Sequence, residues 1–188
     1  MTGKSQTVEP LPGLKPEIGL SLWTLQETRR RTLEYVDGIN QLALDHNPPG
    51  QRHSVATLLY HIGIFEVDWL YVDILGGDYD MDRRIPNCPP EIAAHLPYPL
   101  IMEDRSYTPV EGELLATHLE RLSVIREAFL DVLGGMSLTD FTTLRPSDDQ
   151  MVTPEWVVEH LSQHEAEHRG QIWEARVAAE ARAAPRTT

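Results

Sequence analysis

Apolar positions recur along this chain with a helical period, and no segment carries the alternation of a strand. The first helical segment runs from about Pro16 to Val36, with Ile18, Leu22, Leu25 and Leu33 as its apolar stripe. Pro16 suits the first helical position, Arg29 interrupts the stripe, and Gly38 is the stop. The stretch Asn47-Pro48-Pro49-Gly50 then forbids helix. The second segment opens at Ser54, an N-cap residue, and ends at Gly76-Gly77. Its apolar residues (Val55, Leu58, Leu59, Ile62, Ile64, Phe65, Leu70 and Ile74) lie nearly all round, which predicts a central helix.

The third segment begins at Thr108-Pro109-Val110-Glu111, a capping box with proline at the first helical position. Leu115, Leu119, Leu122, Phe129 and Leu133 give its face, and Gly134-Gly135 ends it. The fourth follows Thr153-Pro154-Glu155 and continues from Val157 to Ala181. Between them lie long irregular stretches, residues 78–107 and 137–152. Four helices of about 20 to 28 residues predict an all-α fold, a four-helix bundle with long connecting loops. We expect one domain over residues 1–188, with flexible ends at 1–12 and 183–188.

Net charge is −13 and pI about 4.9, which argues against a nucleic-acid partner. The one basic run, Arg29-Arg30-Arg31, has Glu27 and Glu34 beside it and reads as a solvated face. A single cysteine, Cys88, allows no internal disulfide and fits a reducing cytoplasm. No adjacent histidine marks it as an activated nucleophile. No apolar run reaches the roughly 18 residues of a membrane span, and residues 1–12 lack the hydrophobic segment of a signal peptide. The expectation is a cytoplasmic protein with no membrane partner.

Chemistry enters with the histidines, of which there are eight. His160, His164 and His168 recur at four-residue spacing on the last helix. Residues i and i+4 share a face, so His164 and His168 can aim at one point, a half-built site for a divalent metal. His61 is a titratable group inside an apolar helix, and a buried imidazole needs partners for both nitrogens. It is the candidate third ligand. Each histidine also has a plainer reading as a surface or hydrogen-bonded core residue, and an i, i+4 pair alone is weak evidence for metal.

His164-Glu165-Ala166-Glu167-His168 also satisfies H-E-x-x-H, the zinc-protease signature in which the glutamate is general base. That class needs a third ligand downstream, yet no histidine follows His168, and Gln171 stands where the longer motif has glycine. A protease is therefore a remote alternative. Glu165 reads instead as the i, i+4 partner of Arg169.

Ser54-Val55-Ala56-Thr57-Leu58-Leu59-Tyr60-His61-Ile62-Gly63, followed by Glu66 and Trp69, resembles the second helix of the DinB-like (DinB/YfiT-like) family. His164-Glu165-Ala166-Glu167-His168-Arg169-Gly170-Gln171-Ile172 resembles its last helix. The Arg-rich first helix and Thr153-Pro154-Glu155-Trp156 are also similar, so the resemblance covers nearly the whole chain. It implies a four-helix bundle holding a divalent metal, nickel or zinc, on His61, His164 and His168. His160 matches no ligand position and is a candidate for the second shell or for structure, as are Glu165 and Glu66 for the second shell. Many relatives have Glu-Asp together after the first histidine, whereas this chain has Glu66-Val67-Asp68.

Some relatives are thiol S-transferases using bacillithiol, mycothiol or glutathione, others are mycothiol-dependent isomerases, and many have no known activity. Three functions stay open: a metal-dependent enzyme taking a low-molecular-weight thiol and a small electrophile, a non-catalytic metal- or ligand-binding bundle, and a purely structural bundle. Arg83, Arg84 and Arg105 in the long loop could meet a carboxylate-bearing thiol, with surface charge as the simpler reading. A homodimer through an apolar helix face suits the architecture.

Overall fold

The computed structural model describes residues 7–47, 53–148 and 150–183. The expected loose ends lie partly outside these residues (1–6 and 184–188), as do Pro48, Pro49 and Gly50. Helix α1 spans Pro16–Val36 and stops before Gly38, whose φ of 67° is open to glycine. A short α2 (Gln41–Asp45) is capped by Asn40. Helix α3 (Val55–Asp68) is capped by the Ser54 hydroxyl, which accepts from Thr57 N at 3.2 Å. It runs on as a π-helical segment, Trp69–Ile74.

The loop that follows holds the two-residue strands β1 (Tyr79–Asp80) and β2 (Ile85–Pro86), paired antiparallel, and one turn of helix, α4 (Pro90–Ala93). Helix α5 covers Leu115–Gly134 and a short α6 covers Leu138–Thr142. Strands β3 (Arg145–Ser147) and β4 (Gln150–Val152) form a second small antiparallel pair. Helix α7, Pro154–Ala183, is the longest, and Thr153 caps it by accepting from Trp156 N at 3.1 Å.

Among the described residues, α1, α3 with its π-helical extension, α5 and α7 form the bundle. Helix α1 packs on α7, α7 on α3, α3 on α5 and α5 on α1. The all-α expectation holds, with two minor additions in the short strand pairs.

Two expectations change. The third helix starts at Leu115, not at Thr108. The Thr108 hydroxyl donates to Pro99 O, Val110 N donates to Thr57 on α3, and Gly112 turns the chain at φ 80°. Of the capping-box stretch, Thr108 thus ties the loop to itself and Val110 ties it to α3. On α1 the buried stripe continues through Arg29, Thr32 and Val36, while Leu33 is 37% exposed. Val55–Ile74 is a 20-residue stretch apolar enough, by length and composition, to cross a membrane. A window that tolerates scattered polar residues accepts it, although no unbroken apolar run is that long. In the bundle 72% of that window is buried, as suits a central helix.

The core has two apolar clusters. One gathers α2, most of α3 and residues such as Ile125 and Ile172. The other gathers Leu25, Leu70, Phe129 and Leu161 with their neighbours. Each long helix contributes one charge to a buried layer: Arg29 from α1, Glu66 from α3, Arg126 from α5 and Glu165 from α7. Each arginine bonds to each glutamate. Arg29 reaches Glu66 and Glu165 at 2.8 Å, while Arg126 reaches Glu66 at 2.5 Å and Glu165 at 3.1 Å. Remaining guanidinium N–H groups donate to Leu122 O, from Arg29, and to Leu25 O, from Arg126.

Candidate metal centre

Beside this charged layer, at the contact between α3 and α7, three imidazoles converge. Their ligand atoms all lie within 4.8 Å of one another. His61 Nε2 is 3.1 Å from His164 Nε2, which is 3.0 Å from His168 Nε2. Helical spacing explains the α7 pair, because one turn separates His164 from His168. The apolar packing of α3 aims His61 at them. His61 and His168 are buried and His164 is half-buried.

Burial dominates the electrostatics. It penalises the charged imidazolium and pushes His61 down to about 2, helped by His168 and His164. It pushes His164 down to about 3, again with help from His168, and lowers His168 as well. All three rings are therefore neutral at neutral pH, the protonation state that metal ligation requires. His168 Nδ1 lies 3.0 Å from Gln171 Oε1. An amide oxygen only accepts, so Nδ1 carries the proton and Nε2 presents its lone pair to the centre.

The donor set fits a divalent ion. A tetrahedral ion with Zn–N bonds of about 2.0–2.1 Å spaces its ligand nitrogens roughly 3.3 Å apart, close to the 3.1 and 3.0 Å that separate His164 from His61 and from His168. Without an ion the three nitrogens satisfy one another poorly, since each neutral Nε2 either donates once or accepts.

The other sequence candidates fall outside this trio. His160 stacks on Trp156, with centroids 4.9 Å and planes 6° apart, and touches Trp69. Its ring centroid is 6.2 Å from that of His164. Glu66 and Glu165 belong to the charged layer. Glu165 is thus not the partner of Arg169, whose guanidinium instead lies over the Tyr35 ring at 6.0 Å. The solvated-face reading holds for Arg30 and Arg31, which pair with Glu27 at the surface, but not for Arg29.

The protease alternative loses its base here. Burial alone would raise the Glu165 carboxyl, but Arg29 and Arg126 outweigh it and hold the group ionised. Both of its oxygens accept from guanidinium groups, so neither is free to take a proton from water.

Tyr107, which no local pattern marks, supplies the wall of the centre from the long loop. Its ring lies on His61 with centroids 3.7 Å apart and approaches the His168 ring edge-on at 5.8 Å. Of the loop arginines, Arg83 donates to Leu96 O and Arg84 pairs with Glu103. A cleft of about 710 Å³ lies elsewhere, between α1 and α5, with Arg29 and Arg126 at its floor. None of the three histidines lines it.

Residues 24–172 match the DinB superfamily, a span that includes the three histidines and the whole charged layer. The chain belongs to the DinB superfamily. No curated protein matches it in sequence.

Proposed function

We propose that His61, His164 and His168 hold a divalent metal, nickel or zinc, and that the protein joins a low-molecular-weight thiol to an electrophilic small molecule. The observation that carries this reading is the convergence of three neutral imidazoles from two helices, next to a charged layer whose members already satisfy one another. An ion so held supplies Lewis acidity that deprotonates a thiol or a water near neutral pH.

The chain's own residues prepare the place. The imidazoles bind through Nε2, Gln171 fixes the tautomer of His168, and Tyr107 with Phe65 keeps water from the His61 ring. Half-buried His164 marks the side from which a small molecule reaches the centre. The chain's one thiol is no substitute nucleophile, because burial pushes Cys88 up to about 11. In this reading the nucleophile arrives as a cosubstrate.

Metal analysis by mass spectrometry, on protein purified without a metal column, tests the site. We expect about one ion per chain in the wild type and little in His61→Ala. Bacillithiol, mycothiol and glutathione, each paired with an electrophilic reporter, then test turnover. Metal-dependent thiol consumption supports the transferase. A loaded protein that consumes none of them is a binding bundle, and a protein that takes up neither nickel nor zinc overturns the site itself.

A further inference from the structure

A metal-ligating histidine ordinarily donates its second ring N–H to a carboxylate, carbonyl or water, and that bond fixes the ring's orientation. His168 follows the rule through Gln171. His61 does not: its Nδ1 is buried and meets no hydrogen-bond partner among the described residues. Rotation about the Cβ–Cγ bond is a soft torsion for histidine. Such rotation would swing Nε2 away from the other two nitrogens, so something else must oppose it.

Stacking does so. Tyr107 lies nearly parallel to His61, with planes 13° apart and centroids 3.7 Å apart. His53 stacks on Tyr107 in turn, at 4.3 Å and 18°. Two near-parallel rings this close to one phenol must take its opposite faces, so Tyr107 is held between two imidazoles. Phe65, one turn beyond His61 on α3, adds a tilted contact at 4.2 Å.

The backbone around Tyr107 is pinned as well. Ile101 bridges to it, Thr108 Oγ1 donates to Pro99 O at 2.7 Å, and Val110 N donates to Thr57 Oγ1 at 3.1 Å. Thr57 stands one turn before His61 on α3. The loop thus grips α3 at two successive turns, once by a hydrogen bond and once by a ring face.

We infer that Tyr107 is a positioning residue for the metal centre, whose ring face sets the plane of His61 where other sites use a hydrogen bond. The inference rests on the three-histidine reading of the site. It requires the ring and not the hydroxyl. A flat face that blocks rotation of His61 raises affinity for the ion without touching the ion.

The test is cobalt(II) and zinc(II) affinity by competition titration, with the cobalt absorption bands as a report on coordination. The proteins compared are the wild type, Tyr107→Phe, Tyr107→Leu, Tyr107→Ala, His61→Ala and the double variant His61→Ala with Tyr107→Leu. We expect Phe to keep affinity within about twofold, and Leu and Ala to lower it roughly 10–100-fold with altered cobalt bands, the usual range for an orienting partner. In the His61→Ala background Tyr107→Leu should cause no further loss, which a general packing defect would not reproduce. Should Tyr107→Ala fail to fold, the Leu and Phe variants decide.

Wild-type affinity in Tyr107→Leu, or a Phe variant as weak as Leu, overturns the positioning role while leaving the site intact. A further loss in the His61→Ala background overturns it too. A wild-type protein that binds neither ion overturns the site, and the inference with it.

Discussion

The Arg–Glu layer takes its two carboxylates from α3 and α7, the same two helices that carry the histidine trio, yet the two sets use their hydrogen-bonding capacity in opposite ways. Glu66 lies five residues after His61 on α3, and Glu165 directly follows His164 on α7. In the layer every carboxylate oxygen accepts from a guanidinium, and spare N–H groups find backbone carbonyls. In the trio three nitrogens face one another with too few protons and lone pairs to go round. Buried polar groups are normally satisfied, so the closed cluster asks for nothing further, whereas the three converging imidazoles are compatible with a divalent metal. Proximity in sequence and in space does not make the two sets one site.

The contrast breaks most visibly if one charge is removed from the closed cluster. Arg126→Met leaves two buried carboxylates short of a cation and should cost about 3–5 kcal/mol in urea unfolding. Replacing all four charges together by methionine should instead be neutral or stabilising, by up to about 4 kcal/mol. A single variant costing under about 1 kcal/mol would show that the layer is not a closed electrostatic unit.

In the open cluster the readout is different. His164→Ala or His168→Ala should remove most bound metal, while the metal-free variants lose less stability than Arg126→Met. Full metal content in both variants would contradict the ligand assignment.

Acid sharpens the comparison next. Unperturbed imidazoles would release an ion near pH 6, but burial holds His61 at about 2 and His164 at about 3, so protons compete poorly. Equilibrium dialysis should show metal retained well below pH 6. The metal-free protein should respond earlier. The folded pKa values lie below the unfolded value near 6.5, so the unfolded chain takes up protons first. Stability is full above about 6.5 and declines as pH falls towards the folded values. His118, buried and lowered to about 4 first by its burial and then by Arg121, adds to the same slope. A urea midpoint that stays flat from pH 7 to 5 would contradict neutral burial.

The smallest effect expected is at Gly170, exposed on α7 with nothing within 4 Å of an added Cβ. Gly170→Ala should raise stability by about 0.5–1 kcal/mol through helix propensity alone. Metal affinity should not change. A loss of affinity would mean that backbone freedom at this point of α7 serves the centre.

The helices were legible in the sequence because their apolar periods are strong and their caps local, as at Ser54 and Thr153. The histidine pair was legible because one turn of helix relates its members, and His61 because a titratable residue stood in an apolar run. The charged layer was not, since its partners lie far apart along the chain and no local pattern joins Arg29 to Glu66 or Glu165. A signal did exist, in that Arg29 and Arg126 each occupy a place on an apolar stripe. The surrounding arginines and glutamates of α1 obscured it. The capping-box pattern at Thr108 does not start a helix because cap residues serve equally well as loop anchors, and only the fold shows which acceptor they meet. Tyr107 carried no signal, because a stacking partner from an irregular loop obeys no period.

On α7, His164 and Glu165 are consecutive, so about 100° of helical rotation separates the open cluster from the closed one. A single residue inserted between Thr153 and His164 would turn every later side chain by that angle, lifting Glu165 out of the charged layer while the histidines turn away from His61. Lengthening cannot be absorbed there, whereas the β3–β4 turn ahead of α7 can take up extra residues without changing that phase. Between Thr153 and His168 the protein is thus intolerant of changes in length even where it tolerates changes in residue type.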